Sequence, residues 1–313
     1  MDGFVHTDDG VSLRYTQHGA GRPVVFIHGW QGAAEQWRPA ARALAGDCRA
    51  VTYDQRGHGR SQDARSGWTV HRLADDLAHL LEQLELSDVT LVGHSMGCSV
   101  IWAYLELFGP ARLERLVLVD QSPAMVVDPV WDERTIARAG AIFTDTELRA
   151  LCHSLADPES RERTVRAIVE GMLTPSAPPA LLERVVAWGM RVDGSFAASL
   201  LRNHAHQDWR RQIGLIELPT LVISGRASVV PWSAAEWIAH KIPGSRLEIF
   251  ESDEGGSHLL ALENPAKFNR LLREFAAADP SCGSSPPLTQ AQPIPDFHLS
   301  TNQPSIESEG VTT

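Results

Sequence analysis

The run Val89-Thr90-Leu91-Val92-Gly93-His94-Ser95-Met96-Gly97, continued to Phe108 as Cys-Ser-Val-Ile-Trp-Ala-Tyr-Leu-Glu-Leu-Phe, is the most informative stretch of the chain. Val89 to Val92 is a short apolar run of the kind that forms a buried strand, and residues 96–108 read as a helix stopped by Gly109-Pro110. Between them stands G-x-S-x-G. A strand that turns at once into a helix forces strained backbone angles on the residue at the bend, and glycines on either side let neighbouring backbone close in. The bend lifts the Ser95 hydroxyl above the sheet edge. The start of the helix beneath it offers unpaired N–H groups and the positive end of the helix dipole. Ser95 is therefore the candidate nucleophile.

The same alternation extends outward. Val24 to Ile27 reads as a strand ending at His28-Gly29, and Ala50 to Tyr53 as another closed by Asp54. Leu73, Leu77, Leu80, Leu81 and Leu84 form one apolar helical stripe. Downstream come the strand Leu116 to Val119, ending at Asp120, the strand Thr220 to Ile223, a helix near Ala234 to His240, and the strand Leu247 to Phe250. A last helix runs from about Pro265, well placed as an early helical residue, to Ala277. Short apolar strands alternating with helices predict a mostly parallel sheet covered on both faces. The stretch from about Ser122 to Leu215 is helix-like and holds no clear strand, so it reads as an inserted helical cap. The expected organisation is a core in two parts, 1–122 and 216–278, a cap over 123–215, and a tail over 279–313. The tail has six prolines, no Lys or Arg, and the acids Asp279, Asp296, Glu307 and Glu309. Its composition is that of a disordered segment.

Of the 313 residues, 28 are Lys or Arg and 39 Asp or Glu, a net charge of -11 with no basic block. This argues against nucleic acid or an anionic lipid surface as a partner. No apolar run approaches the ~18 residues of a membrane span. The opening MDGFVHTDDG has three Asp and no Lys or Arg, unlike a secretory signal. Cys48, Cys98, Cys152 and Cys282 are widely spaced, which predicts neither a disulfide framework nor a zinc site. A cytoplasmic location is the expectation. Composition and spacing leave the oligomeric state open.

Four further pieces accompany the elbow: His28-Gly29-Trp30, DQRGHGRS at 54–61, LVLVDQSP at 116–123, and Gly255-Gly256-Ser257-His258. Together, in order and spacing, they resemble the α/β-hydrolase superfamily over about residues 5 to 278. Within it the chain is similar to small serine esterases, lactonases and the so-called cofactor-free haloperoxidases. The resemblance implies an α/β-hydrolase fold, no cofactor, and an oxyanion hole formed by the backbone N–H groups of Trp30 and Met96. His28 would order that loop, and the Trp30 ring would wall the reacting carbon. A serine hydroxyl needs a base. Among the 13 histidines, His258 follows a strand and a glycine-rich loop and precedes the last helix, where the superfamily keeps its catalytic histidine.

The third member of the triad departs from the pattern. The superfamily's commonest acid position follows the strand Thr220 to Ile223 in a G-x-x-D turn, but this chain reads Gly225-Arg226-Ala227-Ser228. Asp120, at the end of the strand after the nucleophile's helix, is the substitute, since some members place their acid there. Asp253 and Glu254 remain alternatives, as does a Ser–His dyad. His58 and His94 read as structural. His204 and His206, with Asp208, are a weak metal pattern: histidines two apart do not share a helix face and no second ligand pair accompanies them, so no metal is expected.

Cap residues such as Trp131, Trp188, Met190, Phe196 and Trp209 are expected to be mostly core, with some lining an apolar pocket between cap and sheet. No cluster of Arg or Lys suggests an anionic anchor. The leading expectation is hydrolysis of a carboxylic ester or lactone of an apolar small molecule through an acyl-enzyme. The alternatives are an acyltransferase or perhydrolase on the same intermediate, a C–C bond hydrolase or cofactor-free oxygenase, and a non-catalytic ligand receptor on the hydrolase scaffold. Ser228 in place of the usual acid is the feature that favours a receptor. Epoxide and haloalkane hydrolysis is disfavoured, because it needs a carboxylate where Ser95 stands.

Overall fold

The structure, a computed structural model, describes residues 1–277. The tail expected over 279–313 lies outside the described residues. The strands are β1 (Asp2–His6), β2 (Ser12–His18), β3 (Arg22–Ile27), β4 (Cys48–Tyr53), β5 (Val89–His94), β6 (Leu113–Val119), β7 (Thr220–Gly225) and β8 (Arg246–Phe250). They form one sheet in the order β1-β2-β4-β3-β5-β6-β7-β8. Pairing is parallel from β4 through β8, while β1 with β2 and β2 with β4 are antiparallel. The helices are α1 (Arg38–Leu44), α2 (Val70–Gln83), α3 (Met96–Phe108), α4 (Glu133–Ala139), α5 (Asp145–Ala156), α6 (Arg161–Gly171), α7 (Pro179–Arg191), α8 (Gly194–Ala205), α9 (Arg210–Ile213), α10 (Trp232–Lys241), α11 (Leu260–Glu263) and α12 (Pro265–Ala277).

Side chains alternate across the parallel strands and so feed two cores. Val25, Ile27, Leu91, Leu116 and Leu118 pack toward α2 and α3, with the α2 stripe Leu73, Leu77, Leu80 and Leu81 fully buried among them. Val24, Phe26, Val92, Val117 and Val119 face the other way, against α1 and α12. Every strand expected from an apolar run is present. β1 and β2 were not anticipated: at this edge Val5 and Leu13 are the deeply buried residues, and the rest of both strands is exposed or half-buried, so no apolar run marks them.

The polypeptide leaves the sheet after β6 and returns at β7. Helices α4 to α9 lie between, and they carry an apolar cluster of their own around Leu148, Leu155, Val165, Leu181, Val185 and Trp188. Among the described residues no helix is long and apolar enough to cross a membrane. Cys48, Cys98 and Cys152 are free thiols.

Candidate active site

Sheet register brings the first two site residues together. His94 of β5 pairs with Val119 of β6, so the residues that follow, Ser95 and Asp120, emerge side by side at the carboxyl ends of adjacent parallel strands. The Ser95 N–H donates to Val119 O at 2.9 Å. Ser95 stands at φ 53°, ψ -126°, backbone that costs of order 1–3 kcal/mol in a residue with a Cβ. The turn is so tight that a Cβ on Gly97 would fall 2.4 Å from Ile27 O, and one on Gly93 2.6 Å from Gly97 O. Close approach of backbone, rather than a left-handed angle, is therefore what requires glycine at both places.

Asp120 is buried and also left-handed, at φ 53°. One register step further, Val119 pairs with Ile223 of β7, which delivers Ser224 and Gly225 to the Asp120 carboxylate. Oδ1 accepts from Ser224 Oγ at 2.7 Å and from the Gly225 N–H at 3.1 Å. Oδ2 accepts from Ser228 Oγ and lies 2.6 Å from His258 Nδ1. A ring of donors is what an acceptor-only group needs in a buried site. Ser228, in the turn where the superfamily's usual acid stands, here supplies a hydroxyl to an acid on the neighbouring strand.

His258 reaches this point on the loop after β8. Gly225 permits the loop to cross, since a Cβ there would lie 2.2 Å from Gly256 O, and the Ala227 N–H donates to that same carbonyl at 2.8 Å. With Nδ1 of His258 on Asp120, Nε2 is the nitrogen left for Ser95. Ser95 and His258 line one cavity of about 50 Å3, together with Trp30, Met172, Val185 and Trp188. The alternative acids stand elsewhere. Asp253 is exposed, and Glu254 is exposed and pairs with Lys267 at 2.6 Å, which holds its carboxyl below the usual range.

Among the described residues, neither the Trp30 nor the Met96 backbone N–H has an acceptor within the protein. Both donors needed for an oxyanion hole are thus uncommitted. The Trp30 ring lines the cavity and its Nε1–H donates to Ala197 O of α8 at 2.9 Å, tying this loop to the inserted helices.

Three histidines organise the surroundings as neutral rings. His28 Nδ1 donates to Gly29 O at 2.8 Å and Nε2 accepts from the Gln55 N–H at 3.0 Å, which fixes the loop before Trp30. His58 stacks on His28 with ring centres 5.0 Å apart. The His94 Nδ1 accepts from Gln36 Nε2 at 3.3 Å, and its Nε2–H donates to the backbone carbonyl of His258 at 2.8 Å. The residue preceding the candidate nucleophile therefore clamps the peptide of the candidate base. His204 and His206 are held apart in environment. His204 is buried, whereas His206 is exposed and lies 3.3 Å from Asp145, and Asp208 pairs with Arg210 at 2.6 Å.

Burial pushes four of these rings far down, His28 to about 4 and His58, His94 and His204 to about 3. An unfolded histidine titrates near ~6.5, so below that pH the unfolded chain binds more protons than the folded one and stability falls as pH falls. Each ring removes roughly 1 kcal/mol by about pH 5.5, a large share in sum of a typical stability of about 5–15 kcal/mol. Calorimetry across pH 7 to about 5 should show Tm dropping steeply, with unfolding taking up close to four protons near the acid end. A flat Tm over that range would contradict neutral burial.

Residues 22–265 match the sequence model described as the alpha/beta hydrolase fold. The chain is similar to the non-heme chloroperoxidase CPO-A1 of Kitasatospora aureofaciens, 31% identical over 287 residues that cover 86% of this chain and 97% of that one. It is also similar to 3-oxoadipate enol-lactonase 1 of Acinetobacter baylyi, 27% identical over 76% of this chain and 82% of that one. Among solved structures, an esterase from Exiguobacterium antarcticum superposes with a TM-score of 0.80 at 24% identity, over 89% of this chain and 100% of the other. At that identity the likeness speaks for the fold.

Proposed function

The chain belongs to the α/β-hydrolase family, and on that premise we propose that it is a serine hydrolase cleaving a carboxylic ester or lactone of a small, mostly apolar molecule. The observation that carries the reading is the Asp120–His258 contact of 2.6 Å beside the cavity that Ser95 lines. Ser95 Oγ attacks the carbonyl carbon while His258 Nε2 takes its proton, and Asp120 holds Nδ1–H and the charge that forms on the ring. The Trp30 and Met96 amides receive the oxyanion. Collapse returns the proton to the leaving alkoxide and leaves an acyl-Ser95. Water, deprotonated by His258, then attacks the acyl carbon, and the acid departs as Ser95 regains its proton. The likeness to an enol-lactonase supports ester chemistry. Helices α4 to α9 act as the cap that keeps water away from the acyl-enzyme.

The likeness to a non-heme chloroperoxidase favours one second reading: hydrogen peroxide, instead of water, resolves the acyl-enzyme and yields a peracid. Product analysis with acetate esters, with and without peroxide, separates the two.

Cavity size makes the substrate expectation concrete. About 50 Å3 is roughly a third of the ~150 Å3 cavity that holds benzene in an engineered protein core. Trp188 lines both this cavity and an outer cleft of about 410 Å3. On a panel of 4-nitrophenyl esters, acetate and butyrate should exceed octanoate in kcat/KM by about tenfold or more, and Trp188→Ala should erase most of that preference by joining the two spaces. A wild-type enzyme that prefers octanoate contradicts the small-acyl assignment. Labelling of Ser95 by a fluorophosphonate tests the serine-hydrolase reading itself; an unlabelled serine in folded protein would favour a receptor.

A further inference from the structure

The catalytic cavity contains a polar side chain that the triad does not use. Gln31 follows Trp30, is 5% exposed, and lines the same cavity as Ser95 and His258. Its Nε2 is fully buried and has no hydrogen-bond partner among the described residues. The carboxamide packs against α7, with Oε1 3.4 Å from the point where a Cβ on Gly189 would stand. The Gln31 backbone is left-handed, at φ 54°. Among non-glycine residues it shares this region with Ser95 and Asp120 in the site and with Glu85 and Asp88 in the loop between α2 and β5. A strained backbone that carries an unanswered buried donor costs stability twice, and such costs persist where the surroundings use them. The cavity lining holds no Lys or Arg, so nothing there calls for a charged ligand group.

We propose that Gln31 is a specificity-determining residue: its Nε2–H donates to a neutral oxygen that the substrate carries a few bonds from the scissile carbonyl. The preferred substrates are then small esters or lactones with a second acceptor (ether, oxo or hydroxyl oxygen) near the reacting centre. A purely hydrocarbon acyl or alkoxy group leaves the buried amide without an acceptor, and one bearing the oxygen supplies it. The inference rests on the serine-hydrolase reading and narrows its substrate class.

Two isosteric pairs test it. 4-Nitrophenyl methoxyacetate and 4-nitrophenyl butyrate differ by one oxygen on the acyl side, and 2-methoxyethyl acetate and butyl acetate by one on the alcohol side. Within at least one pair, Gln31→Met should lower kcat/KM for the oxygen-bearing ester by about tenfold to a hundredfold relative to its hydrocarbon partner, the cost of an unmet buried hydrogen bond. Comparing each variant with wild type cancels the intrinsic reactivity of the esters. Gln31→Asn, which suits left-handed backbone and keeps the donor, should retain part of the discrimination. A ratio unchanged within about twofold in both pairs overturns the proposal. So does an equal fall on all four esters, which would make Gln31 a structural or oxyanion group. Turnover with an unmoved ratio sinks this inference alone, whereas no turnover and no Ser95 labelling in wild type sinks the serine-hydrolase reading with it.

Discussion

Ser95→Ala is expected to lower kcat for a 4-nitrophenyl ester by about 10⁶, leaving a residual rate above water that comes from the oxyanion donors and substrate positioning. Alanine keeps the Cβ of serine, so the strain at φ 53° is unchanged, and the Ser95 hydroxyl does not cap its helix. Tm should therefore stay close to wild type, which separates loss of chemistry from loss of fold. Steady-state kinetics with burst-phase analysis, together with the mass shift of a fluorophosphonate adduct present in wild type and absent in the variant, checks the assignment. A variant retaining more than about a hundredth of wild-type turnover would remove Ser95 from the nucleophile's role.

Asp120→Asn should cost about 10⁴ in kcat, because an amide cannot hold the imidazole in the tautomer that leaves Nε2 free to accept a proton. The same change should lower stability by about 1–3 kcal/mol. The Asn Nδ2 faces either the fixed Gly225 N–H beside Ser224, where two donors oppose, or Ser228 and His258, where it donates to Nδ1 and imposes the wrong tautomer, and each arrangement weakens the buried hydrogen-bond set. Denaturant midpoints read that second effect independently of rate. Because Ser228 already reaches the Asp120 carboxylate, the acid can be moved: Asp120→Asn combined with Ser228→Asp should regain at least about tenfold over the single variant. Asp253→Asn and Glu254→Gln should leave kcat within about threefold, since both side chains are exposed and Glu254 is engaged by Lys267. Asp120→Asn activity within about tenfold of wild type would point to a working dyad.

The contrast between these two residues shows how far the sequence reaches. The Ser95 elbow is a local event: strand, two glycines and helix are contiguous, so their order in the chain already dictates the bend. The strands β3 to β7 are legible for the same reason, because a strand buried on both faces must be largely apolar, and β8 is marked by Leu247, Ile249 and Phe250. Strands β1 and β2, at one end of the sheet, escape notice because a half-exposed strand has no such requirement. Asp120 could be named from its place after β6, but Asp253 and Glu254 competed with it. What separates them in space is the register of β5, β6 and β7, which no local pattern encodes.

Residue types at short range suffice to read the hydrolase architecture, the serine at its turn and the histidine on the late loop. Tertiary structure alone decided which carboxylate meets that histidine, that Ser228 serves it as a donor, how small the cavity is, and that Gln31 lies buried beside it without an acceptor. Those features arise where segments more than a hundred positions apart pack together. Partner choice and free volume there are set by the summed geometry of the sheet and the inserted helices.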